Sequence, residues 1–266
     1  MAKVHFIGAG QMAEAIIRAS LERNTFSAAQ ISVEDIDGSR VKVLTGAFHL
    51  ASHHVDDALA QADLIVIGVR PQDDIAGVAR RISSLASEQS TVVSIVAGVT
   101  LAQLAALLGE KQAIVRVIPN TLTDTGYGYS GVALNALAQP EHIETFLSGF
   151  GKTLYLEERL IDIFTGFAVA GPNYIYYFVE SLTDAGVLAG LPRAQATQVV
   201  LENLVGAAEM LRLSQKHPRQ LLDINNSPAG VGMHGLYELN NSDFAAGLQR
   251  SVLAAVKRTT ELAHAR

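Results

Sequence analysis

The chain contains no cysteine and no tryptophan. Without cysteine it can form no disulfide, no thiolate nucleophile and no cysteine-ligated zinc or iron–sulfur centre. Charged residues are only 17% of the total, and acidic residues outnumber basic ones, 26 against 20, for a formal charge of −6. That balance leaves no electrostatic footprint for nucleic acid, which is bound through clustered Lys and Arg. Uninterrupted apolar runs of about eighteen residues are absent, so no membrane-spanning helix is expected. The apolar part of the opening MAKVHFIGAG is too short for a secretory signal, and the expected location is cytoplasmic. On that expectation the glycosylation-type triplets Asn225-Asn226-Ser227 and Asn240-Asn241-Ser242 are coincidental. Eight histidines, the adjacent His53 and His54 among them, never fall in H-E-x-x-H or a comparable ligand spacing, so no metal is expected. The nucleophile elbow G-x-S-x-G is missing too, because Ser130 stands in Gly128-Tyr129-Ser130-Gly131.

What is present is apolar: 49% of 266 residues, enough to bury a core in one large domain or two modest ones. The first part alternates short β-branched runs with helical patterns. Strands are predicted at Lys3–Ile7, Ile31–Asp35, Leu64–Val69, Thr91–Ile95 and Ala113–Ile118, with a weaker one at Thr153–Leu156 after a helix over Glu141–Phe150. The runs are almost continuous in hydrophobicity, as parallel strands covered on both faces require. Gln11–Glu22, Ser39–Gly46, Asp73–Ser84 and Leu101–Leu108 suit the intervening helices, which makes an α/β, doubly wound parallel sheet of Rossmann type. Beyond it the texture changes to apolar residues at three- and four-residue spacing over Leu160–Ala189, Arg193–Gln215 and Phe244–His264. The expected organisation is a dinucleotide-binding domain over residues 1–158 and an all-helical domain over 159–266. The first long helix is apolar on most faces, more than one core needs, which points to burial against a partner subunit.

Gly8-Ala9-Gly10-Gln11-Met12-Ala13 is G-x-G-x-x-A between a strand and a helix. The first glycine permits the tight turn and the second lets a pyrophosphate approach the backbone. The small sixth residue packs helix on strand, with the phosphates at the helix N-terminus. Glu34-Asp35-Ile36 closes the second strand; an acid there accepts ribose hydroxyls and favours NADH, while Arg40 is close enough to reach the 2′-phosphate of NADPH.

Phe6–Ile17 (FIGAGQMAEAII), Val69–Gln72 (VRPQ), Ser94–Val99 (SIVAGV) and Val115–Thr121 (VRVIPNT) resemble the pyrroline-5-carboxylate reductases. So do Gly171-Pro172, Tyr174, Asp184-Ala185-Gly186, Gly190-Leu191-Pro192 and Ser227-Pro228 with Gly230, in the same order. The resemblance implies reduction of a cyclic imine acid, 1-pyrroline-5-carboxylate to proline, by NADPH or NADH, and a helical domain that forms a homodimer or a dimer-based oligomer. It also implies that Val69, Arg70 and Pro71 lie along the dinucleotide, with Ala97 and Asn120 nearer the nicotinamide half. The amides of a loop over Ser227, Gly230, Val231 and Gly232 would hold the substrate carboxylate, and Asn173 would stand near the substrate.

The chain departs from the family at this loop. Where the family reads close to S-P-G-G-T-T, with the second Thr hydroxyl meeting the imine nitrogen, this chain reads Ser227-Pro228-Ala229-Gly230-Val231-Gly232. The amide cradle survives this change and the hydroxyl does not. Loss of a donor at a reacting centre costs on the order of a hundredfold, and a threonine returned to position 232 is the test: a large gain in proline formation would show the loop detuned for that substrate. Ala168 and Ala170 replace serines, Asn173 replaces an alanine, Leu122 a proline and Arg70 a lysine. His234, just after the loop, is the candidate proton donor, although an imine protonated by water needs none. The alternatives are a paralogue that reduces a different imine, or a dinucleotide-binding sensor with little reductase activity. A hydroxyacid dehydrogenase would need a placed lysine in the helical half, which offers only Lys216 and Lys257.

Overall fold

A computed structural model describes residues 2–50 and 54–264; His53 lies outside them. The chain forms two compact units, one running to Ala170 and resuming at Ala255, the other Gly171–Ala254. Residues 159–170, expected with the helical part, therefore pack in the first unit, as does the end of the last helix.

In the first unit the elements run β1 (Val4–Ile7), α1 (Gln11–Glu22), β2 (Ile31–Glu34), α2 (Gly38–Phe48), α3 (Val55–Ala60), β3 (Leu64–Ile67), α4 (Ile75–Leu85), β4 (Thr91–Ser94), α5 (Leu101–Leu108) and β5 (Ala113–Pro119). β6 (Tyr129–Leu134), α6 (Glu144–Ser148), β7 (Lys152–Tyr155) and α7 (Ile161–Phe164) follow. The seven strands form one sheet in the order β2-β1-β3-β4-β5-β6-β7. The first five are mutually parallel, whereas β6 runs antiparallel to β5 and β7 parallel to β6. The doubly wound parallel sheet expected from the sequence is present in the first five strands, and the sheet as a whole is mostly parallel.

Side chains alternate faces along a strand, so each strand feeds two cores. Phe6, Val66, Val93, Val115 and Val117 pack with Ala13, Ile16 and Ile17 of α1 and with Phe146 of α6. Ile65, Ile67, Val92, Ile114 and Ile118 pack with Ile75, Ala79 and Ile82 of α4 and with Leu101, Leu104 and Leu108 of α5.

β6 escapes the sequence pattern because glycines interrupt it. Gly131 is needed there: a Cβ would stand 2.6 Å from Cδ1 of the Phe164 ring. The helix expected over Leu160–Ala189 is broken as well. After α7 comes a wide turn over Thr165–Val169, and α8 (Gly171–Leu188) starts afresh at Gly171-Pro172. Gly166 in that turn lies against the backbone of Val256, which leaves no space for a side chain.

Two buried charged groups knit the first unit. Arg116 on β5 is 2% exposed; its Nη1 donates to Glu158 at 3.3 Å and its Nη2 to Asp162 at 3.1 Å. Glu158 also accepts the backbone N–H of Leu101 at the start of α5, 2.6 Å away. On the outer strands, Glu34 takes a bidentate pair from Arg81 Nη1 at 2.7 and 2.8 Å, and Arg81 Nη2 reaches Asp56 at 2.8 Å. Buried His5 bonds to Ser32 Oγ at 2.8 Å, and its Nε2 lies 3.6 Å from Glu34, too far for a hydrogen bond. Burial works against the Glu34 carboxylate, but the His5 ring and the Arg81 guanidinium outweigh it and hold its pKa below the usual value.

In the second unit, α8 is followed by α9 (Arg193–Ser214), α10 (Pro218–Asn225), α11 (Val231–Asn240) and the larger part of α12 (Phe244–His264). Pro172, Thr183, Ala196 and Val200 are the buried residues among those described there.

Glu34→Gln is expected to destabilise the protein by roughly 2–3 kcal/mol at neutral pH, because a charged hydrogen-bonded pair in a partly buried setting is lost. A carboxyl with a lowered folded-state pKa contributes stability above its unfolded value, about 4.3, and loses it as pH falls through the folded value. Urea unfolding at pH 7 and below pH 4 should therefore show the gap between the two proteins closing in acid; an unchanged gap refutes the assignment.

Candidate functional site

The ten candidate dinucleotide residues come together at one edge of the first unit. Gly8, Gly10, Gln11 and Met12 follow β1, and Asp35 follows β2. Val69, Arg70 and Pro71 follow β3, Ala97 follows β4, and Asn120 follows β5. This is the carboxyl edge of the parallel strands. The order β2-β1-β3-β4-β5 puts the topological switch between β1 and β3, where open α/β sheets bind ligands.

The two glycines of the loop serve different ends. Gly8 is buried, has φ +108°, and would place a Cβ 2.6 Å from the carbonyl carbon of Gly68 and 2.9 Å from the nitrogen of Val69. The ends of β1 and β3 therefore converge only because Gly8 has no side chain. Gly10 is exposed with ordinary extended dihedrals, and a Cβ there would meet nothing within 4 Å. The protein itself does not require glycine at this position. As N-cap of α1, Gly10 also provides no side-chain cap, so the first-turn amides remain available to an anion. A small-residue cradle with open amides fits a dinucleotide pyrophosphate.

Asp35 braces that loop: its Oδ2 accepts the N–H of Ala9 at 2.7 Å and its Oδ1 the N–H of Asp37 at 2.9 Å. Arg40 lies across the same loop, donating to the Ala9 carbonyl at 2.9 and 3.1 Å and to Glu14 at 2.7 Å. Arg70 is exposed and folds back on Asp73 at 3.0 Å, which lowers the pKa of the Asp73 carboxyl. Ile36 follows Asp35 at 95% exposure. Asn120 is buried, and its Oδ1 accepts from the N–H groups of Leu122 and Tyr129 at 3.2 and 3.1 Å. It closes the loop into β6.

In the second unit the candidates Ser227, Gly230, Val231, Gly232 and His234 occupy the α10–α11 connection and the first turn of α11, while Asn173 is exposed in the first turn of α8. The N–H of Gly230 donates to the Ser227 carbonyl at 3.0 Å. Pro228 and Ala229 hold the central positions of this turn, with Ala229 at φ +57°, where glycine is the unstrained choice. A side chain on Gly230 would strike the Ser227 hydroxyl. Gly230 is the N-cap of α11 and, like Gly10, supplies no side-chain cap. The His234 side chain is exposed.

Asn226 is the residue of this region that sequence reasoning passed over. Its place in a glycosylation-type triplet drew attention away from its carboxamide, whose Nδ2 bonds to the Leu222 carbonyl at 2.6 Å.

Comparison with known proteins covers nearly the whole chain. A family model described as pyrroline-5-carboxylate reductase dimerisation matches residues 158–262, and one described as NADP oxidoreductase coenzyme F420-dependent matches residues 3–98. The pyrroline-5-carboxylate reductase of Pisum sativum is 33% identical over 260 residues, 97% of this chain and 94% of that protein. That of Escherichia coli strain K12 is 33% identical over 264 residues, 98% of each. Among solved structures, the Plasmodium falciparum pyrroline carboxylate reductase with NADP bound superposes with a TM-score of 0.85 at 26% identity, covering 98% of both chains.

The two loop glycines should separate in experiment. Gly8→Ala is expected to cost about 2–4 kcal/mol of stability through strain and overlap. Gly10→Ala should melt within a degree or two of the parent and bind reduced dinucleotide about tenfold or more weakly. Equal coenzyme affinity in Gly10→Ala and its parent, by fluorescence titration, contradicts the cradle.

Proposed function

Because this chain belongs to the pyrroline-5-carboxylate reductase family, we propose that it reduces the C=N bond of 1-pyrroline-5-carboxylate to give proline, using NADPH or NADH. The observation that carries this reading is full-length identity of about a third to such reductases. The open amides of the first helix agree with it. When bound, the reduced coenzyme supplies the hydride; the protein's share is to hold, orient and exclude water.

In the first unit the amides from Gly10 to Met12 take the pyrophosphate, and Asp35, already bracing the glycine loop, lies where the adenosine ribose is held. Val69, Arg70 and Pro71 line the dinucleotide, with Ala97 and Asn120 towards its reactive end. In the second unit the amides of Val231 and Gly232 take the substrate carboxylate, with Ser227 and Gly230 shaping the turn and Asn173 contributing on α8. Fixing the carboxylate orients the ring and presents one face of the imine carbon. The carbon is electrophilic when the nitrogen is protonated. Water can deliver that proton, and exposed His234 is a secondary source.

We also propose that the active species is a homodimer or an assembly of such dimers. The second unit leaves Ile175, Tyr177, Leu188, Val205, Leu213 and Leu253 exposed, with four buried residues to set against them. Apolar surface on that scale marks an association face.

Initial rates with the imine and each coenzyme in turn test the activity: coenzyme oxidation coupled to proline formation is expected, and no turnover with either coenzyme refutes it. Melting across a hundredfold range of protein concentration tests the assembly. The midpoint should rise with concentration, and a constant midpoint with a monomer in sedimentation refutes it.

A further inference from the structure

Gly232 has no side chain, yet the space one would fill is taken. A Cβ on Gly232 would overlap Oδ1 of Asn226, with Cγ of Asn226 3.3 Å away and the carbonyl oxygen of Asn225 3.9 Å away. Asn226 is fastened from its other side. Its Nδ2 donates to the carbonyl of Leu222 at 2.6 Å, and its backbone N–H to the carbonyl of Asp223 at 3.3 Å. With Nδ2 committed as donor, the atom turned to Gly232 is an acceptor oxygen. The residue is half-buried, so this oxygen is partly withdrawn from water.

We propose that Asn226 is the side chain with which this protein meets the substrate nitrogen, and that its Oδ1 accepts a hydrogen bond from the N–H of the protonated imine. The inference rests on the reductase reading above. In that substrate the ring nitrogen and the carboxylate are attached to the same carbon. A carboxylate seated on the amides of Val231 and Gly232 therefore brings the nitrogen to whatever flanks Gly232, and the flanking group is Asn226 Oδ1. A cationic N–H facing a carboxamide oxygen is a charge-assisted hydrogen bond.

The exchange of groups alters the chemistry available. A hydroxyl donates or accepts, whereas the carboxamide oxygen only accepts. Asn226 thus favours the protonated, electrophilic imine and cannot itself deliver the proton. Asn226 and Gly232 also form one unit, because a larger residue at 232 and the present pose of Asn226 compete for the same space. Of the two outcomes open to threonine at 232, loss of activity is therefore the one expected for the single variant.

The test is a cycle of three variants, Asn226→Ala, Gly232→Thr and the double variant, assayed on the assembled enzyme with 1-pyrroline-5-carboxylate. Each single variant should lose about tenfold or more in kcat/KM for the imine, with KM for the coenzyme unchanged. The double variant should recover at least half of the loss, since a hydroxyl then has space to stand. Asn226→Ala should also move the alkaline limb of the kcat/KM profile to lower pH, by about one unit for a tenfold loss of preference for the protonated imine. A purely structural part for Asn226 lowers the melting midpoint and scales the profile without moving it. Should Asn226→Ala fold poorly, Gly232→Thr decides alone: unchanged or increased kcat/KM overturns the proposal. A folded Asn226→Ala with parental rate and profile, or a double variant no better than Asn226→Ala, overturns it as well. Absence of turnover in the parent overturns both this role and the reductase reading; normal parental turnover with an indifferent Asn226 overturns this role alone.

Discussion

The approach of Gly8 to the peptide joining Gly68 and Val69 is the contact on which the dinucleotide edge depends. At φ +108° and with 2.6 Å between its missing Cβ and the Gly68 carbonyl carbon, position 8 admits no side chain. That closeness lets β1 and β3 finish side by side, which aims α1 and the Val69–Pro71 segment at a common space. Asp35 and Arg40 then fasten the loop through the N–H and the carbonyl of Ala9. Both bonds fix the loop that follows β1.

A second theme is how a chain of formal charge −6 manages anions. Both helices assigned to anionic groups, α1 and α11, begin at a glycine that offers no cap of its own. Serine or aspartate at those positions would satisfy the helix and close it to a ligand. Leaving the cap to the ligand sacrifices some stability in the free protein and gains a directional site from main-chain dipoles. Basic side chains near the first crevice are turned to structure instead: Arg40 to Glu14 and Arg70 to Asp73.

Much of this was legible in the residues. The five parallel strands are short apolar runs, and the glycine fingerprint states its own geometry. β6 was not legible, because Gly128 and Gly131 read as loop punctuation, while Gly131 is in fact a strand residue cleared for the Phe164 ring. The break between α7 and α8 was legible in part: apolar periodicity runs through Leu160–Ala189 and Gly171-Pro172 marks where α8 starts afresh, whereas the close contact of Gly166 with Val256 is seen only in the structure. At the loop proposed to hold the substrate, the sequence shows glycine at 232. It does not show that Asn226, six positions earlier, fills the space, since that follows from the turn through Pro228 and Ala229. Loss and replacement are far apart on the line and adjacent in space.

The sparse interior of the helical unit has an evolutionary corollary. In the symmetric pair proposed here, every interface residue is present twice about the two-fold axis. A single codon change that trims one methyl group from α8 or α9 removes it from both copies at once, and its penalty is doubled. Such faces tolerate few isolated changes and move by paired, compensating ones.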